Sequence, residues 1–275
     1  MKPFITDDGL RLDYRIEGDG KPLLCLPGLT RNLDDFDELA DAMQGEAQVI
    51  RLSMRGRGGS DRAANYRSYN IVQEARDVVE FMDFLGLEKA TLIGTSRGGF
   101  NSMILAATAP ERLAGVVLND IGPELAEEGI AKIMDYVGKP PVAHDLAELV
   151  AGLKAEMAAA FPDLPDAKWE ELAQRWYRVD ESGVSLNYDT GIGKAMHEQA
   201  EGEAPDIWGL FDLMASVPLA LLRGENSDLL SRETAAQMSA RRPDMLCAEV
   251  PNRGHIPLLD EPESLDIIRK MLELA

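Results

Sequence analysis

Ala90-Thr91-Leu92-Ile93-Gly94-Thr95-Ser96-Arg97-Gly98-Gly99 joins an apolar run to a helical one through a serine set between glycines. Ala90–Ile93 has the continuous apolar character of a strand covered on both faces. Gly98–Ala109 has helical spacing and is stopped by Pro110. Gly94 and Gly98 lie two residues before and two after Ser96, the G-x-S-x-G spacing of a sharp strand-to-helix turn. A turn of that kind strains the serine, raises its hydroxyl above the sheet end, and brings the first N–H groups of the helix beside it. Ser96 is the expected nucleophile.

The same rhythm extends on both sides. Phe4-Ile5-Thr6 and Leu10–Ile16, separated by Gly9, read as an antiparallel hairpin. Leu23–Leu26 and Val49–Leu52 read as strands, with helical spacing over 34–43 between them, and 70–85 reads as a long amphipathic helix. Leu113–Leu118 is a further buried strand. Past Asp120 the pattern becomes helical (127–136, 145–160, 166–177) with almost no buried strand. It contains every tryptophan of the chain: Trp169, Trp176 and Trp208. Alternation resumes with a strand at 217–222, a helix near 233–240, a strand at 246–250 and a helix at 261–274. Strand–helix repetition implies right-handed crossovers and a mainly parallel sheet. The expected organisation is an α/β core of residues 1–120 and 213–275, interrupted by a helical cap over 121–212.

With 275 residues, 45% apolar and 28% charged, the composition is that of a soluble globular chain. A formal charge of −20 argues against nucleic acid as a partner, because phosphate neutralisation needs clustered Lys and Arg. No stretch has the apolar length of a membrane span, and the N-terminal residues turn acidic before any signal-like run, so a cytoplasmic location is expected. Cys25 and Cys247 are too few and too far apart for a disulfide scaffold or zinc site. No metal or organic cofactor is expected, and the expected partner is a small-molecule substrate.

A nucleophilic serine needs a base. Of three histidines, His144 and His197 fall in the helical insertion, whereas His255 follows the last strand, in a loop at the converging strand ends. His255 is the expected base. Two carboxylates compete to orient it. Asp228 lies in the loop after the strand ending at Leu222 and gives the chain order Ser–Asp–His. Asp120 ends the strand that follows the nucleophile helix. Asp228 is preferred, and Asp120 would then be free to pair with Arg97. For an oxyanion, the backbone N–H of Arg97 is one expected donor, and that of Leu29, in Pro27-Gly28-Leu29-Thr30, the second. Trp169, Trp176, Tyr188 and Trp208 are candidates for lining a substrate pocket, or alternatively for filling the interior of the insertion.

Together these pieces resemble the α/β-hydrolase family. The resemblance rests on Pro27–Thr30, Arg55-Gly56-Arg57-Gly58-Gly59-Ser60-Asp61, Gly94–Gly99, Leu118–Pro123, Gly224–Asp228 and Gly254-His255. It departs from many members at Pro27, where they carry His, and at Ser53-Met54, where they carry Asp. The likeness implies a mostly parallel sheet flanked by helices, with an inserted helical cap. It also implies a serine hydrolase that acts through a Ser-His-Asp triad on a carboxylic ester or related acyl compound. Ser96 disfavours the members that use an aspartate nucleophile. Two alternatives share the same residues. One is C–C bond hydrolysis of a diketone, which would assign a substrate carboxylate to Arg97 or Arg178. The other is a slow-turnover ligand receptor.

Overall fold

Period-two alternation in Leu23-Leu24-Cys25-Leu26 sends Leu23 and Cys25 into one hydrophobic layer and Leu24 and Leu26 into another. The computed structural model describes residues 2–202 and 206–275; Met1 and residues 203–205, which fall inside the range assigned to the cap, lie outside it. Eleven strands are present among the described residues: β1 (Phe4–Ile5), β2 (Arg11–Leu12), β3 (Tyr14–Glu17), β4 (Lys21–Leu26), β5 (Ala47–Leu52), β6 (Ala90–Thr95), β7 (Leu113–Asn119), β8 (Tyr177–Asp180), β9 (Gly183–Leu186), β10 (Leu219–Gly224) and β11 (Leu246–Val250). Seven form one sheet in the order β11-β10-β7-β6-β4-β5-β3. All its pairs are parallel except β3 with β5.

The helices are α1 (Asp37–Ala42), α2 (Ile71–Leu85), α3 (Arg97–Thr108), α4 (Glu127–Tyr136), α5 (Leu146–Met157), α6 (Asp166–Trp176), α7 (Gly191–Ala200), α8 (Ile207–Asp212), α9 (Arg232–Arg241) and α10 (Pro262–Leu274). α2 starts where expected because the Asn70 side chain accepts the Gln73 N–H, and it ends at Gly86 in the left-handed region. Its apolar stripe, with Ala75, Val78, Phe81 and Met82, packs on the sheet face carrying Leu24 and Leu92. α1 and α10 cover the opposite face, on which Leu23, Ile93 and Val117 lie. Burial pushes the Cys25 thiol well above its ordinary pKa, which leaves it an inert core side chain.

Two expectations change. The strand read over Leu10–Ile16 divides at Asp13. Arg11–Leu12 pairs with Phe4–Ile5, while Tyr14–Glu17 moves to the edge of the main sheet beside β5. The Asp13 backbone is held instead by the Ser60 hydroxyl and the Ser53 N–H. The segment between β7 and β10 also carries a two-stranded antiparallel hairpin, β8–β9, in which Arg178 and Ser185 face one another. Its alternate residues are exposed, so it lacks the apolar continuity by which a buried strand is recognised. No helix among the described residues is long and apolar enough to cross a membrane.

Candidate active site

The β6–α3 turn is as tight as its glycines predict. Ser96 has φ 49°, a left-handed value costly for a residue with a Cβ. A Cβ on Gly98 would lie 2.2 Å from the Leu26 carbonyl oxygen, and one on Gly94 would lie 2.6 Å from that of Gly98. Only glycine permits this approach of helix to strand. The Arg97 and Gly98 N–H groups, in the first turn of α3, have no acceptor within the helix.

The Ser96 hydroxyl lies 3.0 Å from Nε2 of His255. Nδ1 of the same ring lies 2.8 Å from Oδ2 of Asp120. An ionised carboxylate only accepts, so Nδ1 carries the proton and Nε2 accepts from the serine. Asp120 is fully buried, and its carboxylate is held from two further sides. Oδ1 accepts the Gly224 N–H at 2.8 Å and Oδ2 accepts the Ser227 hydroxyl at 2.6 Å.

This corrects the preferred acid. Asp228 is half-exposed and is paired with Lys132 on α4 at 2.8 Å. The loop after β10 does reach the site, but through Ser227, one residue earlier. The next side chain, Asp228, is drawn away to Lys132, so the loop touches the site at Gly224 and Ser227 while β7 supplies the carboxylate from its own end. His144 and His197 stay apart from this group. The His197 ring bonds the Gly193 carbonyl of its own helix, and the His144 backbone bonds Glu148.

Arg97 does not pair with Asp120. Its guanidinium donates to Glu74, from Nε at 2.7 Å and Nη2 at 3.2 Å. Glu74 is fully buried and also faces Arg57 Nη2 at 3.1 Å, and Arg57 Nε donates to the Leu29 carbonyl at 2.5 Å. Burial alone would raise the Glu74 carboxyl, but the two guanidinium groups outweigh it and hold it below the usual range. A buried ionic chain thus links the Leu29 peptide to Arg97. Sequence reasoning took residues 55–59 as a glycine-rich loop and missed this cluster. The available signal was two carboxylates, Glu74 and Asp77, on the otherwise apolar face of α2.

The aromatic candidates separate. Trp169 packs edge-on against Phe161 inside the inserted segment. Trp208 lies against Phe211, with Arg241 4.2 Å from its ring. Both are packing residues. Tyr188 is buried beside Arg57, its hydroxyl accepting the Gly138 N–H. Trp176 donates its indole N–H to Asp35 at 2.9 Å and carries Arg31 3.5 Å from its ring centre. It also borders a cavity of about 20 Å³ that reaches Thr95, Asn119 and Ile256, the sequence neighbours of Ser96, Asp120 and His255. Burial pushes the Asp35 carboxyl on this cavity up to about 6, against the opposing charge of Arg31 and the Trp176 bond. Among the described residues no group of three His, Cys, Asp or Glu side chains is arranged to hold a metal ion.

The inserted segment is tied to the sheet domain by polar bonds along its length. Arg175 and Lys168 both reach Glu38, Asp189 N–H meets the Gly56 carbonyl, and Arg253 meets Asp163.

The profile of the alpha/beta hydrolase fold family matches residues 21–262, and the chain belongs to that family. It is a hydrolase. A 3-hydroxybutyrate-oligomer hydrolase of Cupriavidus necator is 33% identical over 96% of this chain and 93% of its own. A 2-(acetamidomethylene)succinate hydrolase of Mesorhizobium japonicum is 26% identical over 90% of this chain and 85% of its own. A crystal structure of an alpha/beta hydrolase from Novosphingobium aromaticivorans superposes with a TM-score of 0.91 at 40% identity, covering 100% of this chain and 98% of that one.

Proposed function

We propose that the protein is a serine ester hydrolase acting through Ser96, His255 and Asp120, with the segment 121–212 as the cap over its substrate. The observation that carries this is the unbroken relay from the Asp120 carboxylate through the His255 ring to the Ser96 hydroxyl, at 2.8 and 3.0 Å. In the reaction, His255 Nε2 takes the hydroxyl proton as Oγ attacks the ester carbonyl. Asp120 keeps the ring in the tautomer that accepts at Nε2 and steadies the imidazolium. The oxyanion is received by the N–H groups of Leu29 and Arg97. Two features support the pairing: Gly28 is close enough to Ser96 that a Cβ there would be 3.7 Å from the serine Cβ, and the Glu74 cluster anchors both peptides. His255 then protonates the departing alkoxide. A water deprotonated by the same ring attacks the acyl-enzyme and releases the acid.

Esters of short hydroxy acids are the proposed substrates, on the strength of the Cupriavidus necator relative, which matches over nearly its whole length. C–C hydrolysis would use the same relay, but its assigned carboxylate ligands are poorly placed. Arg97 is committed to Glu74, and Arg178 is exposed on β8. The receptor alternative gives way to the hydrolase assignment. The test is hydrolysis of 3-hydroxybutyrate dimer and aryl esters by the protein and by Ser96→Ala, with an alkyl phosphonate as covalent probe. Turnover lost in Ser96→Ala and label confined to Ser96 are expected. Label on another residue overturns the assignment.

A further inference from the structure

A Cβ on Gly28 would lie 3.7 Å from the Ser96 Cβ and 3.5 Å from the Arg31 Cγ. The stem of Arg31 therefore leaves the chain near the nucleophile turn. Its guanidinium carbon lies over the Trp176 ring, 3.5 Å from the centre, and the residue is only partly covered from solvent. A cation–π contact of this kind uses none of the guanidinium N–H groups as hydrogen-bond donors. Among the described residues those N–H groups meet no side-chain or backbone acceptor within bonding distance. The other arginines around the site are spent: Arg57 and Arg97 on Glu74, Arg175 on Glu38. Arg31 is also within electrostatic reach of the Asp35 carboxyl and of the Tyr177 and Tyr188 phenols.

A partly exposed cation with free donors, carried on a stem that leaves the chain near the nucleophile turn, is suited to an anionic group on the substrate. The chain's formal charge of −20 repels anions at long range, so a substrate carboxylate needs a local cation. A planar guanidinium fixed at one face presents the two-pronged edge that a carboxylate accepts. We infer that Arg31, held on Trp176, binds a carboxylate of the substrate and makes the enzyme selective for esters that carry a free acid. This deepens the ester-hydrolase reading and rests on it for the turnover measurements alone.

Two matched pairs test it. 4-Nitrophenyl hydrogen glutarate is compared with 4-nitrophenyl valerate for an acid on the acyl side, and 3-acetoxybutyrate with sec-butyl acetate for an acid on the alcohol side. In at least one pair the protein is expected to favour the acid at least tenfold in kcat/KM. Arg31→Met should lower that ratio about tenfold or more, mostly through KM, and Arg31→Lys should restore part of it. Calorimetry with 3-acetoxybutyrate and hydrogen glutarate ester on Ser96→Ala, with Arg31 kept or changed to Met, gives a readout without turnover. A Kd at least tenfold weaker without the guanidinium is expected for one of them. Should Arg31→Met fail to melt cooperatively, Arg31→Gln replaces it. No acid preference in either pair, or a ratio and Kd indifferent to Arg31, overturns the inference and makes Arg31 a clamp on Trp176. Arg31-dependent binding without any turnover would instead sink the ester-hydrolase reading and leave the carboxylate site standing.

Discussion

Asp120 Oδ2 and His255 Nδ1 lie 2.8 Å apart, with the carboxylate fully buried and held also by Gly224 N–H and the Ser227 hydroxyl. Those extra bonds fix the carboxylate before the ring becomes charged. Asp120→Asn should reduce kcat by about 10³–10⁴, since an amide can donate to Nδ1 and so stabilise the wrong tautomer. Asp228→Asn should stay within about 0.5 kcal/mol of the parent in stability, losing only a half-exposed pairing with Lys132, and should keep its turnover. Steady-state kinetics on the two variants decide between the acids. A large loss in Asp228→Asn alone would reverse the assignment.

Ser227 touches Asp120 and directly precedes Asp228 in the chain. Its hydroxyl donates to Asp120 at 2.6 Å while accepting the Leu230 N–H at 3.0 Å. Ser227→Ala removes one bond to a charged acceptor, worth about 1.5–3 kcal/mol. The expected outcome is a shift of the acid limb of the kcat/KM profile to higher pH together with a lower kcat. A pH profile unchanged from the parent would leave Ser227 with a purely structural part in the loop.

Much of this architecture was legible in advance. Leu23–Leu26 and Leu113–Leu118 could be read as buried parallel strands because no polar residue interrupts them, and Gly94 and Gly98 marked the turn. The choice between Asp120 and Asp228 was not legible. It depends on which side chain of the loop after β10 turns inward, and Asp228 is turned outward by Lys132, a residue 96 positions away in the chain. The Glu74 cluster was half-legible, since a carboxylate between Ile71 and Ala75 on an amphipathic helix needs a cationic partner. The sequence does not say that the partners are Arg57 and Arg97. The aromatic residues divided for a similar reason: Trp169 and Trp176 share a face of α6, yet only Trp176, at its end, reaches Arg31 and Asp35.

Glu74 is the shared counter-charge of two buried guanidinium groups. Glu74→Gln leaves both without a counter-charge, and a loss of about 3–5 kcal/mol in unfolding free energy is expected from urea titration. Glu74→Asp keeps the charge on a shorter arm and should recover part of that stability. Both should lower kcat more than they raise KM, because Arg57 and Arg97 anchor the peptides of the proposed oxyanion site. Stability lost with kcat intact would separate the cluster from catalysis.

Asp35 and Glu38 lie one turn apart and titrate in opposite directions. Burial raises Asp35 from 3.8 to about 6, opposed by Arg31, the Trp176 bond and Arg175 and assisted by Asp34. Burial also opposes ionisation of Glu38, but bonds from Arg175 and Lys168 outweigh it and lower the carboxyl from 4.5 to about 2. A raised carboxyl favours the folded state while protonated, and that contribution is lost as pH rises from about 4 through 6. Asp35→Asn should therefore melt close to the parent at pH 4 and above it at pH 7. A depressed carboxyl contributes above pH 4.5, and that contribution fades as pH falls toward 2. Glu38→Gln should melt below the parent at pH 7, with the gap closing under acid. Because Glu38 anchors Arg175 and Lys168 of α6, the same variant should expose the segment 121–212 to proteolysis before the sheet domain. Melting curves for both variants across pH 3–8 check the two signs together, and parallel curves in either case would refute the corresponding carboxyl's assigned environment.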